Sequence, residues 1–423
     1  MEEALRQRPR IWSPISDLKG VFAGGGNPVD GLRGICIGMV VFFHCFFILK
    51  VALPKTAFLT FVSDLPFLAR IGFNFDKAVD IFFVVSGYLI GAALLREKLA
   101  NHRVNFLDFY RRRFYRIMPL FWLAMLLFGS FAWKGDMASL LGNLFFLENL
   151  FPQLTKIVPV GWSLSIEVQF YLVAPLLFLL PVHQIFRTLL ALLALTVGIR
   201  LSLVFSNPDF YGISPLTYLT SGMSGADLLD TLYYPSWARL SPIVLGLMVP
   251  FLILHYSKTI ERQKRLLMFI SATCLTFGFL FPSYESEVVV YPLAQALGIA
   301  FDRVAVGLGV AILIVCWELN HLSPVTTTQR FLSHWALAMW GRLVYPIYLF
   351  HLPFIAVAFL IVFQTTKPAN IREASIFEVL MAFPLAMLLT LVLALLLHVV
   401  VERPLIRWGR RHETQTIAAE SPA

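Results

Sequence analysis

The sequence is poor in charge and in cysteine. Of its 423 residues only 14% are Asp, Glu, Lys or Arg, and the four cysteines, Cys36, Cys45, Cys274 and Cys316, all fall inside apolar runs. There is no C-x-x-C spacing, and nine residues at 100° each put Cys36 and Cys45 on opposite faces of one helix. Neither a disulfide framework nor a thiolate metal site is expected. Long polar stretches are also lacking: those between apolar runs reach about 30 residues, below the ~50 that a soluble domain needs. The net charge of +9 is carried in short basic clusters between apolar runs, which is the footprint of a polytopic membrane protein and not of a nucleic-acid binder.

Apolar residues fill the rest. They make up 58% of the chain, with 39 Phe and a mean hydropathy of +0.75. No small-residue cleavage pattern follows the first apolar run, so it reads as a retained helix and not a signal peptide. Windows long enough to cross ~30 Å of hydrocarbon at ~1.5 Å per residue predict ten spans. They lie at roughly 32–50, 78–96, 114–132, 163–181, 186–206, 239–256, 266–282, 293–317, 343–363 and 376–402. The run 138–151 is too short to cross and holds Asn143 and Glu148, so it is expected to be interfacial or re-entrant. Lys and Arg counted in alternate loops come to 23 on one side and 9 on the other, which predicts both termini in the cytoplasm. The expected fold is all-α, a membrane bundle of about ten transmembrane helices. A cytoplasmic head (1–30) precedes the bundle domain (31–404), and a basic, then disordered, tail follows (405–423).

A charge at mid-bilayer costs roughly 2.5–3.5 kcal/mol on insertion scales, so each ionisable residue left in a span needs a partner or a purpose. In the first span, GLRGICIGMVVFFHC, Arg33 and His44 are eleven residues apart. Eleven steps of 100° are three turns plus about 20°, so the two side chains share a face some ~16 Å apart along the axis. Arg33 either snorkels to headgroups or binds an anion; His44 either bonds a neighbouring helix or acts as a general base. In the fourth span, Gly161-Trp162-Ser163-Leu164-Ser165-Ile166-Glu167, the carboxylate of Glu167 lies about a turn below the outer interface, at a depth His44 reaches from the other direction. Such a pair would orient the imidazole and stabilise its protonated form. Trp162 reads as an interfacial anchor. At the start of the third span, Arg113 and Arg116 are i, i+3 neighbours that could grip a phosphate together, with Arg33 on the same side. Asp80 heads the second span; Tyr345-Pro346-Ile347-Tyr348 leads to His351 near mid-membrane in the ninth. Asp302 and Arg303 read as an internal or interhelical ion pair, and Arg200 and His398 as structural.

Taken in order, these motifs resemble the acyltransferase-3 membrane family. Arg33 with ten residues to His44, then DIFFVVSGYLIG, RRRFYRIMPLFW, WSLSIEVQFYL, YPIYLFHLP and the closing Val401-Glu402-Arg403-Pro404 occur in the family's order across 31–404. The family comprises inner-membrane O-acyltransferases acting on surface glycans and, in some members, on small molecules. The resemblance implies an acyl-CoA donor, usually acetyl-CoA, and a hydroxyl acceptor that is often a sugar on a lipid carrier, with no permanently bound cofactor. It implies catalytic roles for His44 and Glu167 and substrate binding by Arg33, Arg113 and Arg116. The run Tyr233-Tyr234-Pro235-Ser236-Trp237-Ala238-Arg239 is similar to the family's arginine-bearing start of the sixth span. Asp80, Arg239, Tyr348 and His351 complete the candidate substrate-binding set. Val168 stands where a second Glu is common in the family, which points to Glu167 as the needed acid. Many members carry a C-terminal periplasmic esterase-like domain; no room for one follows the tenth span, so a partner of that kind is expected to be separate. The outward loop 207–237, with Asp209, Asp227 and Asp230, is where acceptor specificity is expected. The competing reading is a proton-coupled transporter or flippase of an anionic solute, using the same buried charges.

Overall fold

The computed structural model describes residues 13–24, 26–214, 228–282, 291–319 and 326–409. Its architecture is helical. The principal helices are α1 (Pro14–Phe22), α2 (Pro28–Ala52), α3 (Ala78–Asn101), α4 (Phe106–Ala132), α5 (Met137–Leu144), α6 (Gly161–Leu177), α7 (Val182–Phe205), α8 (Ser236–Arg262), α9 (Lys264–Leu280), α10 (Pro292–Glu318), α11 (Trp335–Arg342), α12 (Val344–Val362) and α13 (Ile376–Leu397). Each of the ten expected segments contains one long helix. Eight segments are long and apolar enough to cross a bilayer, while α6 and α9, at 17 residues each, are shorter. The run 138–151 forms the short helix α5 and then irregular chain that buries Asn143, Glu148 and Asn149.

Local chemistry sets where these helices begin. Asn27 accepts from the Val29 amide at 2.9 Å and Pro28 occupies the first turn of α2, fixing its start just ahead of Arg33. Asn105 caps α4 through the Asp108 amide, so the arginine run begins one turn into that helix. Ser375 and Glu378 form a reciprocal capping box on α13.

Lipid is as apolar as a leucine side chain, so helices associate through close backbone approach and polar contact. The most extensive pairing, α3 with α8, uses both. Gly87 of α3 lies against the backbone of Ile243 and Leu247, and Gly246 of α8 lies against that of Val84 and Tyr88. Gly34 similarly lets the backbone of α11 close on α2 beside Arg33. The described ends meet on one side of the bundle: Asp17 of α1 is buried and pairs with Arg407, while Arg342 donates to the carbonyls of Gly20, Val21 and Ala23.

Candidate active site

Two cavities face the interior of the bundle. The smaller, about 90 Å³, is lined by Arg33, Arg113, Arg116, Ser86, Glu167 and Tyr345, among others. The three arginines predicted to converge therefore do so, on one wall each from α2 and α4. Arg113 lies over the rings of Tyr171 (5.2 Å) and Phe109 (5.6 Å), which steer a guanidinium without neutralising it. Glu167 accepts hydrogen bonds from Ser86 at 2.5 Å and from the Tyr171 hydroxyl.

The larger cavity, about 400 Å³, is lined by His44, Trp162, Tyr233 and Tyr234 together with five cations, Lys50, Lys77, Lys156, Arg200 and Arg303. His44 is half-buried, and its partner is not Glu167. Its Nδ1 lies 2.9 Å from the Val40 carbonyl and 3.1 Å from Nε2 of His351. The expected His44–Glu167 contact is not made, because the carboxylate faces the arginine cavity and the imidazole the other one. The carbonyl partners assign the tautomers, since a carbonyl only accepts. His351 Nδ1 contacts the carbonyls of Tyr348 (2.8 Å) and Ile347 (3.2 Å) and so carries its proton. His351 Nε2 then accepts, His44 Nδ1 donates to it and to Val40, and His44 Nε2 keeps its lone pair with no bond from a described residue. His351 is wholly buried, so its ring is held by these bonds and not by solvent.

Adjacent residues divide between the cavities. Trp162 lines the large one and Ser163 the small one; Tyr348 lines the small one, with its ring 6.1 Å from that of His351. The Ser163 and Tyr348 hydroxyls are 2.6 Å apart, where the linings of the two cavities adjoin.

Asp80 and Arg239 line neither cavity. Both are fully buried: Arg239 pairs with Asp80 at 3.1 Å, and Asp80 also takes Arg303 at 2.7 Å. Arg303 reaches Asp76 at 2.5 Å, and Asp302 pairs with Lys77 and Arg200 at 3.3 Å each. Asp302 and Arg303 each pair outward to other elements, which is the interhelical of the two expected alternatives. Asp76 and Lys77 fall between the first two expected spans; the sequence signal for this network is that Lys77 and Arg200 sit at the rim and inside of apolar runs. Trp162 is buried beneath Arg239 (5.1 Å) and Tyr233 (4.7 Å) instead of anchoring at an interface. Asp209 and Asp230 are described, and Asp227 lies outside the described residues. No group of three metal-ligating side chains occurs among the described residues.

A family model for an acyltransferase domain matches residues 28–399, nearly the whole described bundle. The chain belongs to the acyltransferase-3 family. The chain is similar to the peptidoglycan O-acetyltransferase OatA of Listeria monocytogenes, with 26% identity over 82% of the chain and 51% of the relative. It is similar to the O-acetyltransferase OatA of Staphylococcus aureus at 24% over 66% of the chain and 45% of the relative, and to the putative peptidoglycan O-acetyltransferase YrhL of Bacillus subtilis at 29% over 30% and 24%. The chain spans about half the length of the OatA proteins it matches. No solved structure matches it. With its long apolar helices, the chain is a multi-pass protein of the inner membrane.

Proposed function

We propose that the chain moves an acyl group, acetyl in the simplest case, from acyl-CoA to a hydroxyl of a carbohydrate or glycoconjugate. The observation that carries this reading is the fixed tautomer of His44, which leaves Nε2 as an unpaired base facing a cavity of substrate size. Loop charge puts the arginine cavity on the cytoplasmic side, where Arg33, Arg113 and Arg116 would hold the phosphates of CoA. Its pantetheine arm would pass Tyr348 once the Tyr348–Ser163 bond opens, bringing the thioester to His44. The acceptor oxygen attacks the thioester carbonyl while His44 Nε2 takes its proton; the C–S bond breaks and the thiolate leaves with the proton from His44. His351 acts as a positioning residue, accepting from His44 Nδ1 as the imidazolium forms. Glu167 organises the arginine cavity through Ser86 and Tyr171. The relatives' printed activity, O-acetylation, supports the choice of acyl group and hydroxyl acceptor.

The test is transfer of label from acetyl-CoA by the purified protein. His44→Ala is expected to lose roughly 10²–10⁴ in rate; a wild-type rate would refute the assignment. Two cavities whose linings adjoin also suit alternating access, so proton-coupled transport of an anionic solute is the second reading. Uptake into proteoliposomes without acyl-CoA turnover would favour it.

A further inference from the structure

Among the described residues, the wall of the large cavity has an excess of positive charge. Five cations line it, Lys50, Lys77, Lys156, Arg200 and Arg303, against two carboxylates, Asp76 and Asp302. The described groups paired to that wall from behind or beside it add Asp80 and Asp230 on one side and Arg239 on the other. Among the described residues six cations thus face four anions, with Glu148 near Lys156 as a fifth acid. Most of these groups are buried: Lys77, Asp80 and Arg239 are at or below 1% exposure. Lys77, Arg200 and Arg303 pair with partners on or behind the wall, and Arg239 pairs with Asp80 behind it. Lys50 has no ion-pair partner among the described residues, and Lys156 reaches Asp230 only at 3.9 Å while lying 4.3 Å from the centre of the Tyr234 ring. Lys50 and Lys156 are half-buried, where an unmatched charge still costs, and an anion entering the cavity would relieve it.

Resting on the acyl-transfer reading, we infer that the acceptor carries an oxyanion, a phosphate or a carboxylate, beside the hydroxyl that is acylated. Lys50 and Lys156 hold this group, and the Trp162, Tyr233 and Tyr234 rings take the apolar face of the acceptor. His44 lines the same cavity, so the anion and the reacting hydroxyl belong to one molecule. Nothing on the wall distinguishes phosphate from carboxylate, and the probes are chosen to do so.

The experiment uses the full chain in nanodiscs of phosphatidylcholine, with CoA at saturation, and titrates glucose, glucuronate and glucose 1-phosphate by calorimetry. The two charged sugars are expected to bind at least about tenfold more tightly than glucose, the energy of one charge-assisted hydrogen bond. The tighter of the two names the oxyanion. Lys50→Gln and Lys156→Gln are each expected to weaken the charged probe several-fold and to leave glucose unchanged. Equal binding of all three sugars, or charged-sugar binding that survives both substitutions, would overturn the inference. Charged-sugar binding in a protein that never transfers acyl groups would defeat the proposed function and leave the anion site standing. Transfer to neutral sugars as fast as to charged ones would do the reverse.

Discussion

Replacing Gly87 or Gly246 by alanine attacks a close backbone approach in the most extensive helix pairing of the bundle. A methyl group on Gly87 would stand 3.0 Å from the Leu247 amide nitrogen and nearer still to the Ile243 carbonyl oxygen. A methyl on Gly246 would stand 2.9 Å from the Tyr88 nitrogen and nearer still to the Val84 carbonyl oxygen. Ordinary contact begins near 3.4 Å, and every obstructing atom is backbone, so no side chain can rotate out of the way. The helices must separate. Overpacking costs about 1–3 kcal/mol where side chains can yield, so about 3 kcal/mol or more is expected here, roughly a hundredfold in the folding equilibrium. The movement also reaches the site, because α3 carries Asp80 and Ser86, and α8 carries Arg239. Thermal unfolding in detergent, followed by intrinsic fluorescence, measures the cost. Gly38→Ala and Gly198→Ala are the controls: nothing lies within 4 Å of either added methyl, and the gain in helix propensity, about 0.8–1.0 kcal/mol, makes them neutral or stabilising. If Gly87→Ala and Gly246→Ala melt with the controls, the reasoning about backbone approach is wrong.

Three further outcomes are expected. His351→Ala should lower kcat by roughly a hundredfold with an unchanged KM for acetyl-CoA, and His351→Gln, which keeps an acceptor for His44 Nδ1–H, should recover part of it; equal losses in both, with a raised KM, would mean His351 only packs. Asp80→Asn should cost about 3–5 kcal/mol by stranding Arg239, and adding Arg239→Gln should restore part of that stability in thermal unfolding; an unchanged melting temperature in the single variant counts against the bracing role. Burial pushes the Glu148 carboxyl up to about 7 from its usual 4.5, with the Ser165 hydroxyl bonded to it opposing the change. Because folding favours the protonated form, the stabilising contribution of Glu148 is full below pH 4.5 and is lost, about 3 kcal/mol in all, as the pH rises through 7. Glu148→Gln should flatten that slope in a pH series of unfolding curves, and an unaltered slope would assign it to other groups.

Much of this molecule is written along single helices. The ten long helices follow from apolar run length, and the convergence of Arg33 with Arg113 and Arg116 follows from helical spacing and loop charge. The prediction that His44 and Glu167 meet was depth arithmetic on two separate helices. Depth says nothing about rotation or neighbours, and the two groups open into different cavities.

By itself the sequence determined which residues share one face of one helix, because a 3.6-residue period fixes that locally, and it determined the ordered motifs that mark the family. Only the tertiary structure decided that His351 orients His44 across 307 residues, that Asp80 is shared by Arg239 and Arg303, and that Ser163 meets Tyr348 where two cavities adjoin. In lipid all apolar helix faces are nearly equivalent, so neighbours are chosen by a few glycine contacts and buried polar pairs distant in the chain, and no local pattern encodes that choice.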